Sequence, residues 1–154
     1  MSGGAFRLSL LLAVLALVAV GCGESQEDKF KKDFRPINDR ILELFDNVAT
    51  TLQGVGSLTN NQIERQFGGF ARRLGDLREQ VDDLEPPDDL ERAKGNLVEA
   101  MRGAESPLSG IERAADKKNP RAAGRATRRL IFSLVELRRA RRTLAKETGA
   151  KLGP

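Results

Sequence analysis

Residues 30–48, FKKDFRPINDRILELFDNV, decide the fold. Phe30, Phe34, Ile37, Ile41, Leu44 and Val48 recur at alternating steps of four and three. On an α-helix that spacing gathers the apolar side chains into one stripe, with the heptad rhythm of a helix packed along another helix. Leu42, Phe45 and Leu52 widen the stripe. Pro36 lacks an N–H, so it either kinks a helix or opens one. The stripe continues on both sides of it, which predicts a kinked first helix from about Asp28 to Gln53. Gly54 and Gly56 break it.

The same rhythm returns downstream. Ile63, Phe67, Phe70, Leu74, Leu77, Val81 and Leu84 predict a second helix from about Asn60 to Leu84. Thr59 and Gln62 have the spacing of a capping box at its start. Gly68, Gly69 and Gly75 weaken this helix; they either allow close helix approach or are tolerated losses. Pro86-Pro87 ends it. Leu90, Ala93, Leu97, Met101, Ala104, Leu108 and Ile111 predict a third helix from about Asp88 to Lys117, kinked at Ser106-Pro107. Asp88, Asp89 and Glu91 suit the positive end of its dipole, and Lys117 and Lys118 the negative end. Asn119 and Pro120 have the chemistry of an N-cap and a first helical residue. The fourth helix then runs to about Glu147, with Gly149 as its stop. Its expected apolar face is Ala123, Ala126, Leu130, Ile131, Leu134, Leu137, Leu144 and Ala145. Arg141 interrupts that face. A buried unpaired guanidinium is costly, so Arg141 is expected to reach an acid near Pro86-Pro87 or solvent at the bundle end. Four helices with short connections predict an all-α, up-down-up-down four-helix bundle.

Composition narrows the chemistry. Helix-favouring Leu, Ala, Arg and Glu are abundant, while Trp, Tyr and His are absent. Without histidine the commonest general base and transition-metal ligand are missing. Ser106, Ser109, Thr127, Ser133 and Thr143 therefore have no imidazole to activate them, and the reading is that the chain is not an enzyme. No cofactor is expected. The net charge is +4, but residues 24–99 carry 17 acids against 11 bases, and residues from Met101 onward 14 bases against 5 acids. Oppositely charged halves can attract when packed antiparallel. A basic face can also meet anionic lipid or an envelope polymer. No motif points to nucleic acid.

The N-terminus sets the expected location. Arg7 gives a positive start, Leu8 to Val20 is a short apolar run, and small residues follow, as in a secretory signal peptide. The run is roughly 13 residues, against about 20 for a spanning helix. Ala19-Val20-Gly21-Cys22 resembles the lipobox of bacterial lipoproteins, with Ala19 where leucine is usual. That resemblance implies cleavage before Cys22 and lipid on its thiol. Cys22 is the one cysteine, so no intramolecular disulfide exists, and lipidation accounts for a lone thiol in an exported chain. The arginine bias and the Leu84-Glu85-Pro86-Pro87 turn also resemble small helical lipoproteins of high-GC Gram-positive bacteria. The resemblance implies a cell-membrane, extracytoplasmic location. The expected organisation is a signal peptide over 1–21, lipidated cysteine and tether over 22–28, the bundle over 29–148 and a tail over 149–154.

Several groups invite a functional reading. Arg121, Arg125, Arg128, Arg129, Arg139, Arg142 and Lys146 form a basic side on the fourth helix, either a solvated face or an anionic-surface binder. Phe132 lies on that polar side, beside arginines. Asp82, Asp83, Glu85, Asp88, Asp89 and Glu91 crowd one turn but lack calcium-loop spacing. Those before Pro87 are expected to pair with Arg138, Arg141, Arg142 and Lys146, and no metal is expected. Phe30, Phe34, Phe45, Phe67 and Phe70 have core spacing, with a ligand cavity as the alternative. Three functions remain in view. The first is a non-catalytic envelope module or scaffold that binds an unidentified protein. The second is a binder of anionic lipid or wall polymer through the fourth helix. The third is a carrier of a small apolar ligand.

Overall fold

The computed structural model describes residues 25–149. The signal segment, Cys22 and residues 150–154 lie outside them. The chain forms α1 (Gln26–Gly54), α2 (Asn60–Asp82), α3 (Glu91–Asp116) and α4 (Pro120–Glu147), with a 3₁₀ turn at Val55–Ser57. No strand occurs among the described residues.

Local chemistry sets most helix ends. The Ser25 hydroxyl accepts from the Asp28 N–H at 3.0 Å, so α1 starts at Gln26 and takes in part of the expected tether. At α2 the Thr59 N–H donates to Gln62 Oε1 at 2.8 Å while Thr59 Oγ1 accepts from the Gln62 N–H, a complete capping box. Asn119 Oδ1 accepts from the Ala122 N–H at 3.0 Å, with Pro120 as the first residue of α4. The start of α3 differs from expectation. Pro87 to Leu90 closes a turn, with the Leu90 N–H donating to Pro87 O at 2.9 Å, and the helix begins at Glu91 without a side-chain cap. That turn delivers Leu90 into the core. Both α1 and α3 continue through their prolines, Pro36 and Pro107.

Cross-helix contacts fix an antiparallel order. Gln26 Nε2 donates to Pro86 O at 3.0 Å, tying the start of α1 to the α2–α3 turn. Arg40 donates to Gln80 between α1 and α2. Arg78 meets Glu105 at 2.7 Å between α2 and α3. The Ser133 hydroxyl donates to Gly103 O at 3.0 Å between α3 and α4. Asn38 of α1 and Arg141 of α4 close the ring. Each pair runs in opposite directions, giving the four-helix bundle. The α3 backbone approaches α2 and α4 most closely, while α1 stands farther off. Side-chain size explains the difference, since interaxial distance follows the side chains at the contact. A Cβ at Gly68 would run into the Glu112 carboxyl, and one at Gly110 would lie 3.2 Å from the Ala126 methyl. Gly69 and Gly75 make no such close approach. The α1 seam instead presents phenylalanine, isoleucine and leucine.

The seams converge on one core. Phe34, Ile41, Phe67, Leu97, Met101, Leu130 and Leu144 are fully buried. Each such side chain contributes about 1.5–3 kcal/mol relative to exposure. Phe30 and Phe34 stack with ring centroids 5.9 Å apart, and Phe67 meets Phe70 edge-on at 5.8 Å.

Two expectations for α4 are corrected. Ile131 was placed on the apolar face, yet it is 52% exposed. It lies one residue, about 100° of helical rotation, beyond Leu130, which points it out of the bundle. Arg141 pairs with no acid among the described residues. It is buried, and its Nη1 donates to Asn38 Oδ1 at 3.0 Å. The expected pairing of the Pro86-Pro87 acids with α4 is also absent among the described residues. Lys94 instead caps this turn, its Nζ donating to Leu84 O at 2.9 Å and to Asp82 O.

Candidate functional site

The outer side of α4 carries a second stripe. Arg121, Arg125, Arg128, Phe132, Val135, Arg139, Arg142 and Lys146 alternate steps of four and three, and all are exposed. Basic residues therefore flank an apolar centre. Phe132 is 73% exposed and Val135 59%, and Ile131 extends the patch sideways. Three large apolar side chains within five residues are more than the scattered exposure ordinary on a soluble surface.

Beside this stripe runs the outer groove between α3 and α4. The half nearer the Pro86-Pro87 end is about 930 Å³ and open. Phe132, Val135, Glu136, Arg139 and Ala140 line it from α4, and Asn96, Glu99, Ala100 and Gly103 from α3. The Ser133–Gly103 hydrogen bond crosses its floor. Beyond its own turn of helix, nothing lies within 4 Å of where a Gly103 Cβ would be, so the groove is open over that residue.

The other half is narrower, about 290 Å³, and basic. Arg113 and Lys117 of the α3 end face Arg125 and Arg129 of α4, with Ser106 and Asn119 also in the lining. No acid lines this cleft. Close approach at Gly110–Ala126 brings the two helices together beneath these charges.

The basic residues expected from the sequence are thus distributed unequally. All seven are exposed, and none makes an ion pair with a described residue. Arg125 and Arg129 come together in the basic cleft, and Arg139 borders the apolar groove. Arg121, Arg128, Arg142 and Lys146 line neither. Arg113 and Lys117 are absent from the sequence-based site. Their signal was the stripe Ser106, Gly110, Arg113, Lys117 on α3, but only the antiparallel register sets it against α4.

Arg141 is electrostatically unusual. Burial lowers its pKa below the ordinary guanidinium value, and the neighbouring positive charges of Arg142 and Arg138 lower it further. Its Nε has no hydrogen-bond partner. Among the described residues no group of acids or cysteine is arranged to hold a metal ion, and no helix is long and apolar enough to cross a membrane. Both halves of the α3–α4 groove are open to the surface, and the phenylalanine rings of α1 and α2 pack into the core.

No family model, curated protein or solved structure matches this chain.

Proposed function

We propose that this chain is a non-catalytic interaction module of the cell envelope, held at the outer face of the cytoplasmic membrane by lipid on Cys22, and that a partner protein docks on the outer side of α4. The observation that supports docking is the exposed patch of Ile131, Phe132 and Val135 beside an open groove floored by small residues. Such a groove suits an amphipathic helix, which anchors apolar residues at steps of three and four. Arg139 together with Glu99 and Glu136 in the same lining favours a partner helix that carries charges of both signs. Anchoring rests on the lipobox-like Ala19-Val20-Gly21-Cys22. More than one acyl chain on a residue gives stable attachment, where a single chain is marginal.

Two experiments test this reading. In cells, Cys22→Ser should abolish incorporation of labelled palmitate and move the chain out of the membrane fraction. Retention with unchanged labelling contradicts the anchor. A photo-reactive residue at Val135 should crosslink to one protein species in native membranes, while the same group at Thr50 on α1 should not. Crosslinks to lipid alone contradict protein docking.

A further inference from the structure

The basic half of the α3–α4 groove has a charge arrangement that the fold explains only in part. Arg113, Lys117, Arg125 and Arg129 line one cleft, and no acid lines it with them. Like charges gathered in one cleft repel, and no acid in the lining offsets them. Helix dipoles account for only half of it. Arg113 and Lys117 suit the C-terminal end of α3, but Arg125 and Arg129 lie beyond the first turn of α4 and gain nothing from its dipole. The opposed dipoles of α3 and α4 largely cancel here, leaving the side chains to set the field.

We propose that this cleft binds phosphate groups of an extended, phosphodiester-linked polyanion outside the membrane. Guanidinium groups present paired donors that match phosphate oxygens, and Lys117 adds a point charge. Ser106 supplies a hydroxyl. Asn119 keeps its amide NH₂ free to donate, because its Oδ1 is already used in capping α4. Position separates a polymer from the lipid of the anchoring bilayer, an argument that rests on the Cys22 attachment proposed above. The Gln26–Pro86 hydrogen bond marks the bundle end nearest Cys22. The cleft is at the opposite end, beyond most of α4, whose 28 residues span about 40 Å at 1.5 Å each. With that attachment, the cleft lies at the end of the bundle remote from the anchor.

The test uses the full lipidated chain in phosphatidylcholine nanodiscs, with poly(glycerol phosphate) as the probe across a salt series. Binding should be present at low salt and weaken steeply as salt rises. Arg113→Gln with Arg129→Gln should weaken it about tenfold, in line with the strength of charge-assisted hydrogen bonds. The charge-matched pair Arg128→Gln with Arg139→Gln, outside the cleft, should weaken it far less. All four side chains are exposed, and melting curves of both variants verify folding. Bound polymer should raise the melting temperature of the wild-type chain but not of the cleft variant. Equal losses from the two pairs overturn the proposal, as does equally tight binding of polyglutamate or no binding at low salt. Cleft-dependent binding to phosphatidylglycerol bilayers without polymer binding overturns the polymer assignment. Because the cleft pair leaves Cys22, Phe132 and Val135 intact, this result is independent of the crosslinking and palmitate experiments.

Discussion

Arg141 Nη1 of α4 donates to Asn38 Oδ1 of α1 at 3.0 Å, with Arg141 3% exposed and Asn38 2%. A buried cation is held by one neutral amide, and its Nε has no hydrogen-bond partner. This pair joins the most loosely packed helix to α4.

Removing only the acceptor should be worse than removing both groups. Asn38→Leu leaves a buried charge uncompensated and should cost about 3 kcal/mol or more in urea unfolding. Asn38→Leu with Arg141→Met should recover wild-type stability or exceed it, because well-packed apolar replacements of buried charges are often neutral or stabilising. If the double variant is as unstable as Asn38→Leu, the cost lies in packing rather than charge.

The same pair predicts a flat pH response. Burial depresses the folded pKa of Arg141 below its unfolded value. Its destabilising contribution is therefore complete below the folded pKa and fades as pH rises through it. Guanidinium remains protonated through the neutral range. The stability difference between wild type and Arg141→Met should thus be constant from about pH 6 to 8. A difference that varies across that window would point to a titrating neighbour.

Lys118 is the one non-glycine residue at positive φ among the described residues, with φ of 48°. It follows the C-cap of α3, where the Asn119 N–H donates to Ala114 O at 2.8 Å and the Lys118 N–H to Ala115 O at 3.0 Å. The equivalent position after α4 is Gly149, at 63°. Glycine adopts this conformation without a Cβ clash. Lys118→Gly should raise stability by about 0.5–1 kcal/mol, net of the entropy lost with glycine. A lower melting temperature would contradict this.

Exposure and burial on α4 should separate docking from folding. Phe132→Ser and Val135→Ser should change stability by less than about 0.5 kcal/mol each, as surface substitutions do. Leu130→Ala, at a fully buried position, should cost about 2–5 kcal/mol. Chemical denaturation of the three variants provides the comparison.

The helices and most caps were readable because they depend on residues close in sequence. The four-and-three seams, Thr59 with Gln62, and Asn119 with Pro120 are all of this kind. Legibility failed where a partner came from another helix. Asn38 reads as an ordinary polar neighbour of Ile37 until Arg141, 103 residues away, is set against it. Ile131 lies at the edge of the apolar arc, where rotation decides burial and sequence spacing leaves it open. Half of the basic cleft was visible on α4, while Arg113 and Lys117 needed the α3–α4 register.

The most direct test of docking is coverage of Phe132 in native membranes. In lipidated protein Cys22 offers no free thiol, so Phe132→Cys and Thr50→Cys each introduce a single reactive site. A membrane-impermeant maleimide should label Thr50→Cys at the same rate in membranes and after purification. It should label Phe132→Cys slowly in membranes and quickly once purified, as the proposed coverage of the α4 patch requires. Equal labelling of the two sites in membranes would contradict the account.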